Sequence, residues 1–193
     1  MTIALAVTRA AGYEPISATV TRAAGYEPIS VVVTKETVEN FGADLLLNGS
    51  FETAGAGGAD VFASWGEVVA DGAIERSNAY AMQGTYSAKI TAGPGLDTLI
   101  SQYATVVPGT QYRFEFWTQG SGTVAGRYAV YDNTHDAFIQ IYISTSIIGA
   151  AWATIITDFW APAGCVSVGL FLRCPEANGA AAYFDWAHLR EKI

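Results

Sequence analysis

From Asp44 onward, apolar and polar side chains alternate along much of the chain. Tyr112, Phe114 and Phe116 alternate with Arg113, Glu115 and Trp117. Ile139, Ile141 and Ile143 alternate with Phe138, Gln140 and Tyr142, and Val166, Val168, Leu170 and Leu172 with Ser167, Gly169, Phe171 and Arg173. A period of two marks strands that bury one face. Turn residues separate these runs, as in Gly93-Pro94-Gly95, Pro108-Gly109, Gly120-Ser121-Gly122 and Asp132-Asn133. No sustained helical stripe interrupts the pattern between residues 44 and 193. Many short strands joined by such turns predict an all-β fold. The expectation is an antiparallel jelly-roll β-sandwich over residues 44–193.

Residues 1–43 follow a different rule. VTRAAGYEPIS occupies residues 7–17 and recurs unchanged at 20–30, an offset of 13. Each copy reads as a β-capable Val-Thr-Arg piece followed by a Gly-Tyr-Glu-Pro turn. Proline pushes the residue before it, Glu14 or Glu27, toward extended geometry. The segment is therefore expected to be an extended arm, with too few large apolar groups to build a core of its own. Thirteen extended residues span at most about 43–47 Å, so identical units would suit identical binding grooves. A duplication tolerated in a tail is the plainer explanation.

Composition narrows the function classes. The 193 residues are 51% hydrophobic and 15% charged, outside the range of disordered chains. A net charge of -8 argues against nucleic acid, which rewards clustered Lys and Arg. No run approaches the length of a membrane-spanning helix. The N-terminus lacks the basic start and apolar core of a secretory signal. Cys165 and Cys174 belong to no metal-binding or redox spacing and read as free thiols. The histidines, His135 and His188, sit in no metalloprotease motif, and no nucleophile-elbow or P-loop pattern occurs. An enzyme is not expected.

A series of short motifs then carries a resemblance. Leu45-Leu46-Leu47-Asn48-Gly49-Ser50-Phe51-Glu52 is followed by Trp65 and by Gly84-Thr85-Tyr86-Ser87-Ala88-Lys89-Ile90. Val107-Pro108-Gly109-Thr110-Gln111-Tyr112-Arg113-Phe114-Glu115-Phe116-Trp117, Trp152-Ala153-Thr154 and Ala182-Tyr183-Phe184-Asp185-Trp186-Ala187-His188-Leu189 complete it. The series resembles the jelly-roll carbohydrate-binding modules attached to bacterial xylanases and glucanases, over residues 44–193. The resemblance implies a structural calcium near the junction of first and last strands, with Glu52 and Asp185 as carboxylate ligands. Trp186 departs from it, because many members carry a second acidic residue there.

If Tyr112, Phe114 and Phe116 face the core, Arg113, Glu115 and Trp117 face outward. The same alternation turns outward Arg127 and Tyr131, then Phe138, Gln140 and Tyr142, then Phe171 and Arg173. Four strands would thus offer aromatic, Arg, Glu and Gln side chains on one non-core face. Such a surface suits a glycan cleft, a protein interface or a face covered by the chain itself.

Two functions are expected from different classes. The first is a structural or assembly protein of a virion or other extracellular particle. It would bind copies of itself or a particle protein through residues 1–40 and display the jelly roll outward. The second is a free glycan-binding module of a secreted polysaccharide-degrading system.

Overall fold

The computed structural model describes residues 39–95, 98–175 and 179–193, together with the backbone of two further strands. Those two are β1 (Ile16–Thr21) and β2 (Ser30–Lys35), paired antiparallel from Ile16 opposite Lys35 to Thr21 opposite Ser30. They flank most of the second sequence repeat. The Gly-Tyr-Glu-Pro turns of both copies lie outside the described residues, and so does the extended reading of Glu14 and Glu27. The chain divides into two units, Met1–Asn40 and Phe41–Ile193.

The second unit is a jelly-roll β-sandwich. Its first sheet takes the order β13 (Ala153–Trp160), β10 (Gln111–Gly120), β15 (Ala181–Lys192), β8 (Ser87–Thr91), β7 (Ala73–Ser77). A short β3 (Phe41–Asp44) also pairs with β15. The second sheet runs β12 (Ala137–Ser144), β11 (Arg127–Asp132), β14 (Ser167–Cys174), β9 (Thr98–Thr105), β6 (Gly66–Val68). A small hairpin of β4 (Ala54–Gly57) and β5 (Asp60–Phe62) stands apart from both. Neighbouring strands in each sheet pair antiparallel.

The alternating runs explain the core. Tyr112, Phe114 and Phe116 of β10 are buried, and so are Val168, Leu170 and Leu172 of β14. Phe114 and Phe116 meet Tyr128 of the other sheet at ring-centroid distances of 6.2 and 5.5 Å. Three apolar positions depart from the expected pattern. Val166 precedes β14 and is exposed, and Ile141 and Ile143 are exposed on β12, whose pairing with β11 is irregular. Cys165 and Cys174 are both free and buried. Burial pushes the Cys174 thiol up to about 11 and raises that of Cys165 as well, which makes both poor nucleophiles.

The opening motif works as a buckle between chain ends. Gly49 lies so close to Ala187 that a Cβ there would sit 1.9 Å from the Ala187 carbonyl oxygen. Its own carbonyl accepts the Ala187 N–H at 2.9 Å. Asn48 holds a left-handed φ of 52° and bonds the backbone of Thr53 and Ala63. Trp65 packs on Phe51 and donates its indole N–H to the Asn48 carbonyl. Most residues that carried the family resemblance here thus build the scaffold.

Candidate functional site: an aromatic sheet face

The two sheets divide the residues that alternation had placed on one face. Arg113, Glu115 and Trp117 stand on β10, in the first sheet. Arg127, Tyr131, Phe138, Tyr142, Phe171 and Arg173 stand on β11, β12 and β14, in the second. Inner residues of both sheets form one core between them, so the two groups lie on opposite outer surfaces of the sandwich. A single shared face is therefore corrected: alternation tells inside from outside but not one sheet from the other.

Gln140 is a second correction. It reaches Thr157 of β13, donating at 2.9 Å and accepting at 3.1 Å. Its amide thus bridges the edges of the two sheets instead of facing outward. The cause is a pair of register irregularities between β11 and β12, where Tyr131 faces Phe138 but Val130 faces Gln140. An extra residue in a strand reverses the alternation beyond it. A second irregularity near Tyr142, whose φ is 36°, returns that ring to the outer side, against Phe138.

On the outer surface of the first sheet, Arg113 and Glu115 are engaged in ion pairs. Arg113 binds Asp158 through two contacts of 2.7 and 2.9 Å. Lys192 reaches the same carboxylate at 2.7 Å, and Arg190 holds Glu115 at 2.9 Å. The Arg113 guanidinium, backed by Lys192, pulls the Asp158 carboxyl down to about 2 despite its partial burial. Phe41 lies over Arg113 and Arg190 at 5.0 Å from each. Trp117 sits opposite Asp185 and Thr154 and is half-buried. This surface is knitted together by its own charges.

The second sheet is different. Tyr131 contacts Phe138 at 5.0 Å and Phe171 at 6.1 Å between ring centroids. Phe171 meets Tyr103 at 6.2 Å, and Phe138 meets Tyr142 at 5.3 Å. The rings form an unbroken row from β12 across β11 and β14 to β9. The Arg173 guanidinium stacks on Tyr142 at 3.8 Å, a cation–π geometry. Tyr103 is 54% exposed and opens the row to solvent. It was missing from the expected set, although Leu99, Ser101 and Tyr103 alternate with Ile100, Gln102 and Ala104 and carry the same signal.

Small residues make room for the rings. Gly169 stands between Tyr131 and Tyr103 in cross-strand register. Beyond Tyr103, a hollow of about 240 Å³ is lined by Leu45, Leu47, Gly66 and Ser101 among others. At the opposite end, the Tyr131 hydroxyl donates to Asp136, and that bond pushes its pKa up to about 12.

Glu52 and Asp185 do come together. Glu52 accepts the N–H groups of Thr85 and Tyr86, both at 2.8 Å. Asp185, fully buried, accepts those of Met82 and Gln83 at 2.7 and 3.0 Å. The two carboxylates thereby clamp one loop, and Gly84 permits the approach of Glu52. Burial raises the Asp185 pKa, and the nearby Glu52 charge adds to the rise. Two crowded carboxylates suit a hard cation. The N–H donors already occupy part of their lone-pair capacity, and no group of three acidic, His or Cys side chains converges among the described residues.

His135 donates or accepts at Asp132, 2.6 Å away, and His188 likewise pairs with Asp44 at 2.5 Å. Burial alone would raise the Asp132 carboxyl, but bonds from His135 and two backbone N–H groups bring it down to about 2.

The sandwich fold is one seen elsewhere. Residues 43–172 match the sequence family described as "Carbohydrate binding domain". The chain belongs to that family. Among solved structures, TmCBM61 in complex with β-1,4-galactotriose superposes with a TM-score of 0.59 at 18% identity, covering 78% of this chain and 100% of that one. The CBM22-1 xylan-binding domain of Paenibacillus barcinonensis Xyn10C gives 0.57 at 16%, covering 74% and 91%. The enzymatically active domain of tailspike protein 4 from bacteriophage CBA120 gives 0.58 at 12%, covering 77% of this chain and 21% of that one. At such identities these likenesses concern the fold. No curated protein matches the sequence. Among the described residues, no helix of this carbohydrate binding domain protein is long and apolar enough to cross a membrane.

Proposed function

We propose that the chain is a non-catalytic glycan-binding protein whose site is the outer face of the second sheet. The observation that carries this reading is the row Tyr103, Phe171, Tyr131, Phe138 and Tyr142. Sugar rings present apolar C–H faces that stack on aromatic rings, while their hydroxyls seek polar groups at the rim. Membership of the carbohydrate binding domain family supports the same reading. Screening the full chain against immobilised neutral and acidic polysaccharides tests it, with Phe171→Ala as the disabled control. Binding that is weakened in the variant is expected.

The duplicated segment favours a second, compatible reading: an outer-surface component of a virion or other extracellular particle. Identical units in residues 7–17 and 20–30 are most useful against repeated partners, either copies of this chain or a particle protein. Light scattering of the full chain and of residues 41–193 tests this. An assembly lost with residues 1–40 is expected, and an unchanged oligomer would contradict the reading. We also assign a structural calcium to Glu52 and Asp185, where it would neutralise the crowded carboxylates and brace the loop they clamp.

A further inference from the structure

We infer that the hollow beside Tyr103 is a subsite for an acetyl group carried by the bound saccharide. This deepens the glycan-binding reading and rests on it. Strand pairing creates the hollow. β6 pairs with β9 from Gly66 opposite Ser101 to Val68 opposite Leu99, so Tyr103 lies beyond the end of β6. The opening motif takes up the free edge there. Leu47 donates its N–H to Gln102 Oε1 at 2.7 Å, and its carbonyl accepts from Gln102 Nε2 at 2.9 Å. Leu46 is buried in the core, whereas its neighbours Leu45 and Leu47 are exposed and line the hollow with Tyr103. Gly66 lines it too. A Cβ on Gly66 would lie 3.4 Å from Ser101 Oγ, so the missing side chain helps to keep the space open.

The lining fixes the chemistry of the occupant. Leu45, Leu47 and the Tyr103 ring are apolar, Ser64 and Ser101 carry hydroxyls, and no charged residue among the described ones lines the hollow. Apolar walls favour a methyl group, whose burial is worth about fourfold in affinity. A serine hydroxyl can donate to a carbonyl oxygen. Acetyl combines the methyl with the carbonyl and has no charge. A carboxylate or sulfate would lose water there with no cation to answer it. Volume sets the scale of the occupant. About 240 Å³ falls short of the roughly 300–1,000 Å³ that hold whole small ligands. The space therefore suits a substituent on a molecule seated next to it. Tyr103 belongs to both the hollow and the row, its ring 6.2 Å from that of Phe171. A sugar stacked at that end of the row thus has its edge at the mouth of the hollow.

The test uses the full chain in affinity electrophoresis and calorimetry. Acetylated xylan beside its alkali-deacetylated form probes ester-linked acetyl, and chitohexaose beside cellohexaose probes amide-linked acetyl. Tighter binding of the acetylated member of a pair, by about fourfold or more, is expected. The pair that shows it identifies the linkage as ester or amide. Leu47→Ser removes one apolar wall, and Gly66→Val fills the hollow from another. Each should bring the acetylated form close to the affinity of its partner and leave the partner unchanged, with thermal unfolding as the check that the variant folds. Phe171→Ala should weaken both members of the pair. Equal affinity within both pairs, or a preference that survives Leu47→Ser and Gly66→Val, overturns the acetyl subsite while the glycan-binding reading stands. Failure to bind any of these glycans overturns both.

Discussion

A Cβ placed on Gly169 would lie 2.9 Å from Cε1 of Tyr103 and 3.0 Å from Cε2 of Phe171. The glycine is therefore the floor on which two rings of the site rest. Its backbone φ is not in the left-handed region, so the close approach of the rings is the reason for a glycine here. Gly169→Ala should fold with near wild-type stability, because the two outward-facing rings can swing aside. Glycan affinity should nevertheless fall severalfold as the row breaks. Calorimetry paired with thermal unfolding checks the split, and a large loss of stability at full affinity would contradict it.

The two outer surfaces should respond differently to truncation. Tyr131→Ala and Phe171→Ala each remove one stacking surface, worth about 0.5–1.5 kcal/mol or roughly 2- to 12-fold in affinity. Trp117→Ala lies on the other sheet and should leave affinity unchanged while lowering the melting temperature. Loss of binding in Trp117→Ala alone would move the site to the charged sheet.

The ion-pair lattice makes stability depend on pH in a defined direction. The folded pKa of Asp158, about 2, lies below its ordinary value of 3.8. Its contribution is therefore fully present above about pH 4 and lost as pH falls toward 2. Asp158→Asn should cost about 2 kcal/mol near pH 7, equivalent to roughly 4–8 °C. Melting curves of the two proteins should converge below pH 4. A gap that persists at pH 2 would show that the contacts do not depend on the charge.

Calcium should stabilise the full chain through Glu52 and Asp185. Asp185 has a raised pKa, so without a cation its ionisation costs stability as pH climbs above 3.8 through its folded value. Millimolar calcium should raise the melting temperature at pH 7, and chelation should reverse it. The effect should vanish in Glu52→Gln. No calcium response in the wild-type protein would leave the two carboxylates as a loop clamp alone.

Much of this was legible before any coordinates. Alternation in β10 and β14 placed Phe114, Phe116, Leu170 and Leu172 inside, because burial of one face imposes that pattern on a strand. The same logic turned Tyr131, Phe138 and Phe171 away from the core, where the structure joins their rings in one row. It could not tell that Trp117 and Phe171 belong to different sheets, because strand order depends on pairings between distant segments. It also misplaced Gln140, because irregular pairing at Val130 leaves no mark in the sequence. Tyr103 was legible too, in a run where Leu99, Ser101 and Tyr103 alternate with Ile100, Gln102 and Ala104. The ion pairs that occupy Arg113 and Glu115 needed the register that sets Asp158 and Arg190 beside them.

The most direct test of the central claim compares glycan binding by the full wild-type chain, Phe171→Ala and Trp117→Ala on one polysaccharide panel. Binding retained in Trp117→Ala and weakened or lost in Phe171→Ala is the predicted result. Binding to no polysaccharide, or binding indifferent to Phe171, would contradict a glycan site on the aromatic sheet.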